Sequence, residues 1–173
     1  MRRRPLSALA AVGTAAHHLF EVRAGVGLVF EPFLGRRGAL GLWLALLPGQ
    51  AAVALTGDRR FDRPLAFGNG AAFAGALVHF AEWPWRLEHG IPALTEAEGM
   101  TADRVPAYNR VLQLWALAAA LALAFDTPRR ARPWALAGLA TGEPLRRSAR
   151  HHFQWARERA REEPERWSPA LRD

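Results

Sequence analysis

Residues 38–57 read GALGLWLALLPGQAAVALTG, a run of 20 residues without a charged side chain. Its only polar side chains are those of Gln50 and Thr56. At a rise of about 1.5 Å per residue, such a run forms a helix roughly 30 Å long, which matches the hydrocarbon core of a bilayer. The run therefore predicts a transmembrane helix.

Three other apolar segments accompany this run. Pro64 to Ala81 contains no charged residue and is followed by a Trp-Pro-Trp sequence at residues 83–85, which is typical of a membrane interface. Val111 to Phe125 is a shorter span, and the first segment, Pro5 to Phe30, is interrupted by ionisable residues. The pattern predicts an all-α fold, an integral membrane four-helix bundle over residues 1–132.

The N-terminus allows a second interpretation. Arg2, Arg3 and Arg4 precede the apolar residues 5–16, as in a cleaved secretory signal, including the twin-arginine type. Apolar character resumes from Val26 to Phe30, which favours an uncleaved first span.

The arginines indicate an orientation. The chain has no lysine, so its net charge of +7 comes from arginine. If four spans alternate, the clusters at residues 2–4, 59–63 and 129–132 fall on one side, which the positive-inside rule places in the cytoplasm. We therefore expect a multi-pass protein of the cell membrane with both termini cytoplasmic, and no nucleic-acid partner. The absence of cysteine excludes disulfides and thiolate metal sites.

Residues 133–173 form the second predicted unit. Pro133 to Thr141 is apolar but only about half the length that crosses a bilayer, so we expect it to lie in the interface. From Glu143 onward, apolar residues such as Leu145 and Phe153 recur at helical spacing among arginines. This predicts a C-terminal amphipathic cytoplasmic helix that is either solvated or anchored to lipid headgroups, with the lipid bilayer as partner.

Ionisable residues inside a span cost roughly 2.5 to 3.5 kcal/mol each on insertion scales, so each one needs an explanation. His17 and His18 precede Glu21 by four and three residues, so either histidine can share a helix face with Glu21. His79 and Glu82 repeat the three-residue spacing on the third segment. Because the first and third segments run in the same direction, the two pairs should lie at similar depth.

Further polar residues are expected near this level. The fourth segment contributes Tyr108 and Asn109, while Trp83 ends the third segment and Asn69 lies deeper on it. We predict a polar layer that binds a small ligand through six residues: His17, His18, Asn69, Trp83, Tyr108 and Asn109.

The same layer suits a divalent metal such as zinc, iron or manganese. Two His-x-x-Glu pairs supply imidazole and carboxylate ligands, namely His18, Glu21, His79 and Glu82. Soluble di-iron bundles use the reverse order, with further glutamates that the second and fourth segments lack here. A b-type haem held by two facing histidines is an alternative cofactor.

Acid–base chemistry on a lipophilic small molecule is another interpretation. Glutamate beside histidine forms a proton donor and acceptor pair, which makes Glu21, His79 and Glu82 candidate catalytic residues. In residue types, though in no alignable motif, the set is similar to the emopamil-binding family of membrane isomerases, and no residue role follows from that. A polar layer that only fixes helix register in a non-catalytic membrane scaffold would use the same residues.

Residues 86–106 form a long connection. Thr95 to Glu98 match a capping box, which predicts a short helix ended by Gly99; the loop is then either an ordered lid over the polar layer or a plain acidic surface loop. The layout of HHLFE, HFAEWPW, LTEAEG and VPAYN resembles uncharacterised small multi-pass bacterial membrane proteins. That resemblance implies a membrane location and no particular activity.

Overall fold

The computed structural model describes residues 3–172, so Arg2 of the signal-like sequence lies outside the described residues. Within this range the chain forms six α-helices and one β-hairpin. A π-helical turn, Ala122–Asp126, continues the fourth helix. In chain order the elements are α1 (Pro5–Ala24), α2 (Glu31–Thr56), α3 (Asp62–Glu82), β1 (Trp85–Glu88), β2 (Ile91–Leu94), α4 (Val105–Leu121), α5 (Arg132–Leu139) and α6 (Gly142–Glu162).

The four predicted apolar segments are all helical, which confirms a mostly helical fold. The first helix ends at Ala24, earlier than predicted, because Gly25 adopts a left-handed conformation with φ of 77°. The second begins at Glu31, earlier than predicted, and bends at Gly35, where φ is 65°. Glycine allows both departures from helical geometry without a steric penalty.

Two helices are long and apolar enough to cross a bilayer by length and composition, namely α2 and the continuous helix Val105–Asp126. Among residues 3–172, α1 and α3 do not meet this criterion of length and apolar composition, although both were predicted to be spans. The structure therefore establishes a helical bundle with two span-like helices, and the four-span membrane bundle stays a prediction.

Many small residues lie inside the bundle and many large apolar residues lie outside it, although Leu112, Trp115 and Phe153 are buried. Alanines fill many of the helix contacts, with no exposed surface at Ala10, Ala39, Ala54, Ala76 and Ala119. Leucines on the first five helices are exposed instead, among them Leu9, Leu44, Leu77, Leu114 and Leu136. A typical water-soluble domain buries its large apolar side chains.

The contact between α5 and the first half of α3 is unusually close. A Cβ atom at Gly70 would overlap the carbonyl oxygen of Ala135, and one at Gly138 would overlap the carbonyl oxygen of Phe67. The two backbones can approach this closely only because both positions are glycine.

α6 packs along the second half of α3. Arg146 and Arg150 of α6 form ion pairs with Glu82 at the end of α3, and His152 Nε2 lies 3.0 Å from the carbonyl oxygen of Val26. The helix that was predicted to be a separate tail is thus packed against the bundle, with its apolar face covered by α3 and the segment after α1.

Arg4 and Ser168 lie at opposite ends of α1. The Arg4 N–H donates to the Ala54 carbonyl at one end, and the Ser168 N–H donates to the Gly25 carbonyl at the other. Because α1 has 20 residues, these ends are about 30 Å apart. α5 and α6 run back along α3, and the cytoplasmic location of both termini stays a prediction.

A β-hairpin over residues 85–94 corrects the prediction of a purely α-helical chain. Its strands pair antiparallel, with Glu88 opposite Ile91. His89 and Gly90 form the two-residue turn, with φ of 53° and 80°. Positive φ at both positions matches the right-handed twist of the flanking strands.

The helix predicted from the capping box at Thr95 is absent from the described structure, since residues 95–104 form turns. The N–H and hydroxyl groups of Thr95 both donate to the Pro84 carbonyl, at 2.9 and 3.2 Å. Glu98, the other capping residue, forms an ion pair with Arg157 of α6. Both side chains therefore contact residues that are distant in the sequence and do not cap a helix.

The α3–α5 contact predicts that Gly138→Ala lowers the free energy of unfolding by about 1–3 kcal/mol, since the new methyl group overpacks the contact. The matched control is Gly41→Ala in α2, where nothing lies within 4 Å of the new Cβ. That variant should be neutral or stabilised by up to about 1 kcal/mol, because alanine favours a helix. Thermal unfolding followed by circular dichroism measures both variants, and equal midpoints would contradict the close contact.

Candidate metal centre and adjoining cavity

A single buried carboxylate, that of Glu21, lies at the centre of the polar residues. His17 Nε2 is 3.3 Å and His18 Nδ1 is 3.6 Å from its Oε2 atom. His79 Nε2 is 3.9 Å from Oε1, and the Tyr108 hydroxyl donates to Oε1 at 3.0 Å. We refer to these five residues as the Glu21 cluster.

Three helices position the cluster. α1 presents Glu21 with the two histidines of the preceding turn, because residues three and four apart share a helix face. α3 supplies His79, and α4 supplies Tyr108, which has no exposed surface. The ring of His17 also stacks on Trp115 of α4, with a centroid distance of 4.7 Å. The cluster thus connects α1, α3 and α4 in the interior.

The ring of His79 is held in a defined tautomer. Its Nδ1 atom lies 2.8 Å from the carbonyl oxygen of Gly75. Since a carbonyl oxygen only accepts hydrogen bonds, Nδ1 carries a proton, and in the neutral ring Nε2 has a bare lone pair. That lone pair faces the carboxylate of Glu21. Two electron-rich groups repel each other, so a proton or a metal ion between them would stabilise this arrangement.

The geometry of the cluster is close to that of a metal site. Ligand atoms of His17, Glu21 and His79 all lie within 4.8 Å of one another. Ligands held tetrahedrally at about 2.0–2.2 Å from zinc are roughly 3.3–3.6 Å apart, so small side-chain shifts would complete the site. Two imidazoles and one carboxylate are used by catalytic zinc and by non-haem iron, and a backbone hydrogen bond at Nδ1 is the usual support of a histidine ligand.

Glu82, predicted to be both a catalytic residue and a metal ligand, is paired elsewhere. Arg150 Nε lies 2.6 Å from its Oε2 atom, and Arg146 contacts its Oε1 atom. Hydrogen bonds from Arg150 and Arg146 hold the pKa of Glu82 below its ordinary value. The two His-x-x-Glu pairs therefore do not form one symmetric four-ligand site.

The two asparagines predicted to bind ligand make hydrogen bonds within the fold. Asn109 accepts from the Leu94 N–H at 2.8 Å and donates to the Leu94 carbonyl at 2.9 Å, which joins β2 to α4. Asn69 donates to the Ser7 hydroxyl at 3.0 Å, near the start of α1. Both lie outside the Glu21 cluster.

A cavity of about 350 Å³ adjoins the Glu21 cluster. It is enclosed by α1, α2, α3 and α6, with Trp115 of α4 in its wall. Trp83, whose ring centroid is 5.2 Å from that of His79, is another wall residue.

Sequence reasoning missed several polar residues of the cavity wall, among them Trp43, Gln50, Trp115 and His152. The sequence indicates that Trp43 and Gln50 could act together, because they lie seven residues apart in α2 and hence on one helix face. No comparable signal existed for His152, since the sequence does not indicate that α6 returns along the bundle.

Acidification should release α6 from α3. Because the folded-state pKa of Glu82 is below its ordinary value of 4.5, its ion pairs stabilise the fold fully above that value. This contribution is lost as the pH falls through the lower, folded-state pKa. We expect hydrogen-exchange protection of α6 amides at about pH 7 to decrease at about pH 3.

The variant Glu82→Gln should show weaker α6 protection already at about pH 7, with a smaller further decrease on acidification than the wild type shows, since Glu98 still pairs with Arg157. The matched control is Glu158→Gln, an exposed glutamate of α6 that should behave like wild type. Protection of α6 that is independent of pH in the wild type would contradict this role of Glu82.

No protein-family model matches this chain, and neither a curated protein nor a solved structure matches it. The geometry of the Glu21 cluster and of its cavity is therefore the basis for a functional proposal.

Proposed function

We propose that this chain is a multi-pass membrane protein that binds one divalent transition-metal ion in the Glu21 cluster. His17, Glu21 and His79 supply the ligands, and His18 is the nearest further donor. One observation carries the proposal: the hydrogen bond between His79 Nδ1 and the Gly75 carbonyl leaves the bare Nε2 facing the carboxylate.

The membrane location is supported by the distribution of apolar residues. Exposed leucines on the outside of the bundle are costly in water but well solvated by lipid chains. Buried alanines and glycines are the residues that allow helices to approach closely in a bilayer. The length and apolar character of α2 and of the continuous helix Val105–Asp126 support the same proposal.

A metal ion suits the cluster better than a single added proton. Three imidazoles surround one carboxylate, and a proton added to one ring leaves nitrogen atoms of the other rings without a partner. Within residues 3–172, His17 Nδ1 and both ring nitrogens of His18 are buried without a hydrogen-bond partner. A divalent ion accepts several lone pairs at once and would also neutralise the carboxylate.

The geometry argues against the haem alternative. Two axial histidines of a haem face each other across the porphyrin, with the iron between their ring nitrogens. Here the rings of His17 and His79 are edge to face with centroids 4.8 Å apart, and Glu21 contacts both. This arrangement leaves no space for a porphyrin between them.

Metal analysis tests the proposal. Wild-type protein, purified in detergent and equilibrated with zinc, iron(II) or manganese, should retain about one ion per chain. His79→Ala should weaken binding by at least about tenfold, the effect of losing even an outer-shell partner. The matched control is His151→Ala, which removes an exposed histidine of α6 outside the cavity wall and should bind like wild type.

Two results would count against the metal site. Absence of bound metal in the wild type, with unchanged stability of His79→Ala and Glu21→Gln, would exclude both a metal-binding and a structural role for the cluster. Absence of bound metal together with a destabilised Glu21→Gln would instead indicate a protonated histidine paired with Glu21.

Acid–base catalysis on a lipophilic substrate is a second candidate function, favoured by the cavity that has Glu21 and His79 in its wall. Glu82 is excluded from this chemistry by its two arginine partners. Lipid extracts incubated with wild type should show a converted product that Glu21→Gln does not form, although the variant folds. Retention of this activity after chelation would favour the catalytic function over the metal site.

A further inference from the structure

We infer that the cavity beside the Glu21 cluster binds a neutral lipophilic molecule that carries a hydroxyl group. This site requires neither a bound metal ion nor catalysis, and it therefore goes beyond the proposed metal site.

The size and the walls of the cavity define the apolar part of the ligand. Its volume of about 350 Å³ falls within the range of small-molecule sites, roughly 300–1,000 Å³. Aliphatic and aromatic side chains from four helices form much of the wall, including Leu47, Phe67, Val78, Leu145 and Phe153. Such a wall favours a hydrocarbon chain or ring system.

The wall also offers hydrogen-bond donors that have no partner. The indole N–H groups of Trp43 and Trp115 are buried, and within the described residues neither has a hydrogen-bond acceptor. Trp115 is only 3% exposed. An indole N–H can only donate, and buried donors are rarely left unpaired in folded proteins. A ligand oxygen would supply the missing acceptor.

His152 supplies a hydrogen-bond acceptor on the same wall. Its Nε2 lies 3.0 Å from the Val26 carbonyl, which only accepts, so Nε2 carries the proton. Burial lowers the pKa of His152, so the ring stays neutral and Nδ1 keeps a bare lone pair. That Nδ1 atom is buried and has no partner among residues 3–172. A ligand that donates a hydrogen bond would pair with it.

These groups together select a hydroxyl group. Of the simple oxygen groups, a carbonyl or ether only accepts, whereas a hydroxyl both accepts and donates. A charged group on the ligand is not required, because the wall carboxylates of Glu82 and Glu98 are paired with arginines and that of Glu21 is contacted by His17 and Tyr108. The expected ligand is therefore a lipophilic alcohol.

Bromine quenching of tryptophan fluorescence tests this inference in phosphatidylcholine nanodiscs. Three probes are compared: dodecanol brominated at the end of its chain, the methyl ether of that alcohol, and brominated dodecane. Saturable quenching should require about three- to tenfold more ether than alcohol, because the ether cannot donate to His152. The alkane should bind more weakly again. No saturable quenching by the alcohol, or equal affinity for all three probes, would overturn the inference.

The variant Trp115→Phe keeps an aromatic ring but loses the donor, while Trp43 and Trp83 continue to report quenching from the wall. Its alcohol affinity should fall by about three- to tenfold, with little change for the alkane. The matched control Trp134→Phe removes a half-exposed tryptophan of α5 outside the cavity wall and should leave all affinities unchanged. Unchanged alcohol affinity in a folded Trp115→Phe would also count against the inference. If the variant does not fold, the comparison of three probes on wild type decides.

The measurements use protein stripped of metal by a chelator and are repeated after addition of zinc. Alcohol binding without metal binding would refute only the metal site. Metal binding without selective alcohol binding would refute only the present inference.

Discussion

The arrangement of this bundle depends on one buried charge, the carboxylate of Glu21. Its oxygen atoms are contacted by imidazoles from α1 and α3 and by the Tyr108 hydroxyl of α4. A carboxylate in such an apolar interior is stable only when positive charge and hydrogen bonds compensate for the loss of water. The tautomer of His79, fixed by Gly75, places an electron-rich nitrogen beside it. The same constraint therefore orients three helices and creates the demand for a cation.

Small residues make this convergence possible. Gly13 and Gly75 lie against Trp115, so the ring that stacks on His17 fits between α1 and α3 without displacing either helix. Glycine contacts between α3 and α5 direct the C-terminal part of the chain back along α3. This return brings α6, with His152 and Phe153, to the open side of the cavity. Helix packing and the enclosure of the cavity thus have a common cause in the positions of the small residues.

Local patterns in the sequence predicted the local features of the structure. Apolar runs indicated the first four helices, and the spacing of His17 and His18 from Glu21 placed them around one carboxylate. Features set by distant residues were not predictable. Glu82 repeats the spacing after His79, yet arginines 64 and 68 residues later form ion pairs with it. Likewise, the capping box at Thr95 predicts a helix that does not form, because the Thr95 hydroxyl donates to the Pro84 carbonyl beside the hairpin. Interactions between separated segments therefore decided which of the locally predicted groups remain available to the site.

We propose above all that α1 and α3 bring His17, Glu21 and His79 to one metal ion. X-ray absorption spectroscopy of the purified, zinc-loaded protein tests this directly. We expect a first shell of nitrogen and oxygen atoms at about 2.0–2.2 Å, with the outer-shell scattering of at least two imidazole rings. A first shell of oxygen atoms alone, without imidazole scattering, would show that the metal lies elsewhere and would contradict the proposed ligand set.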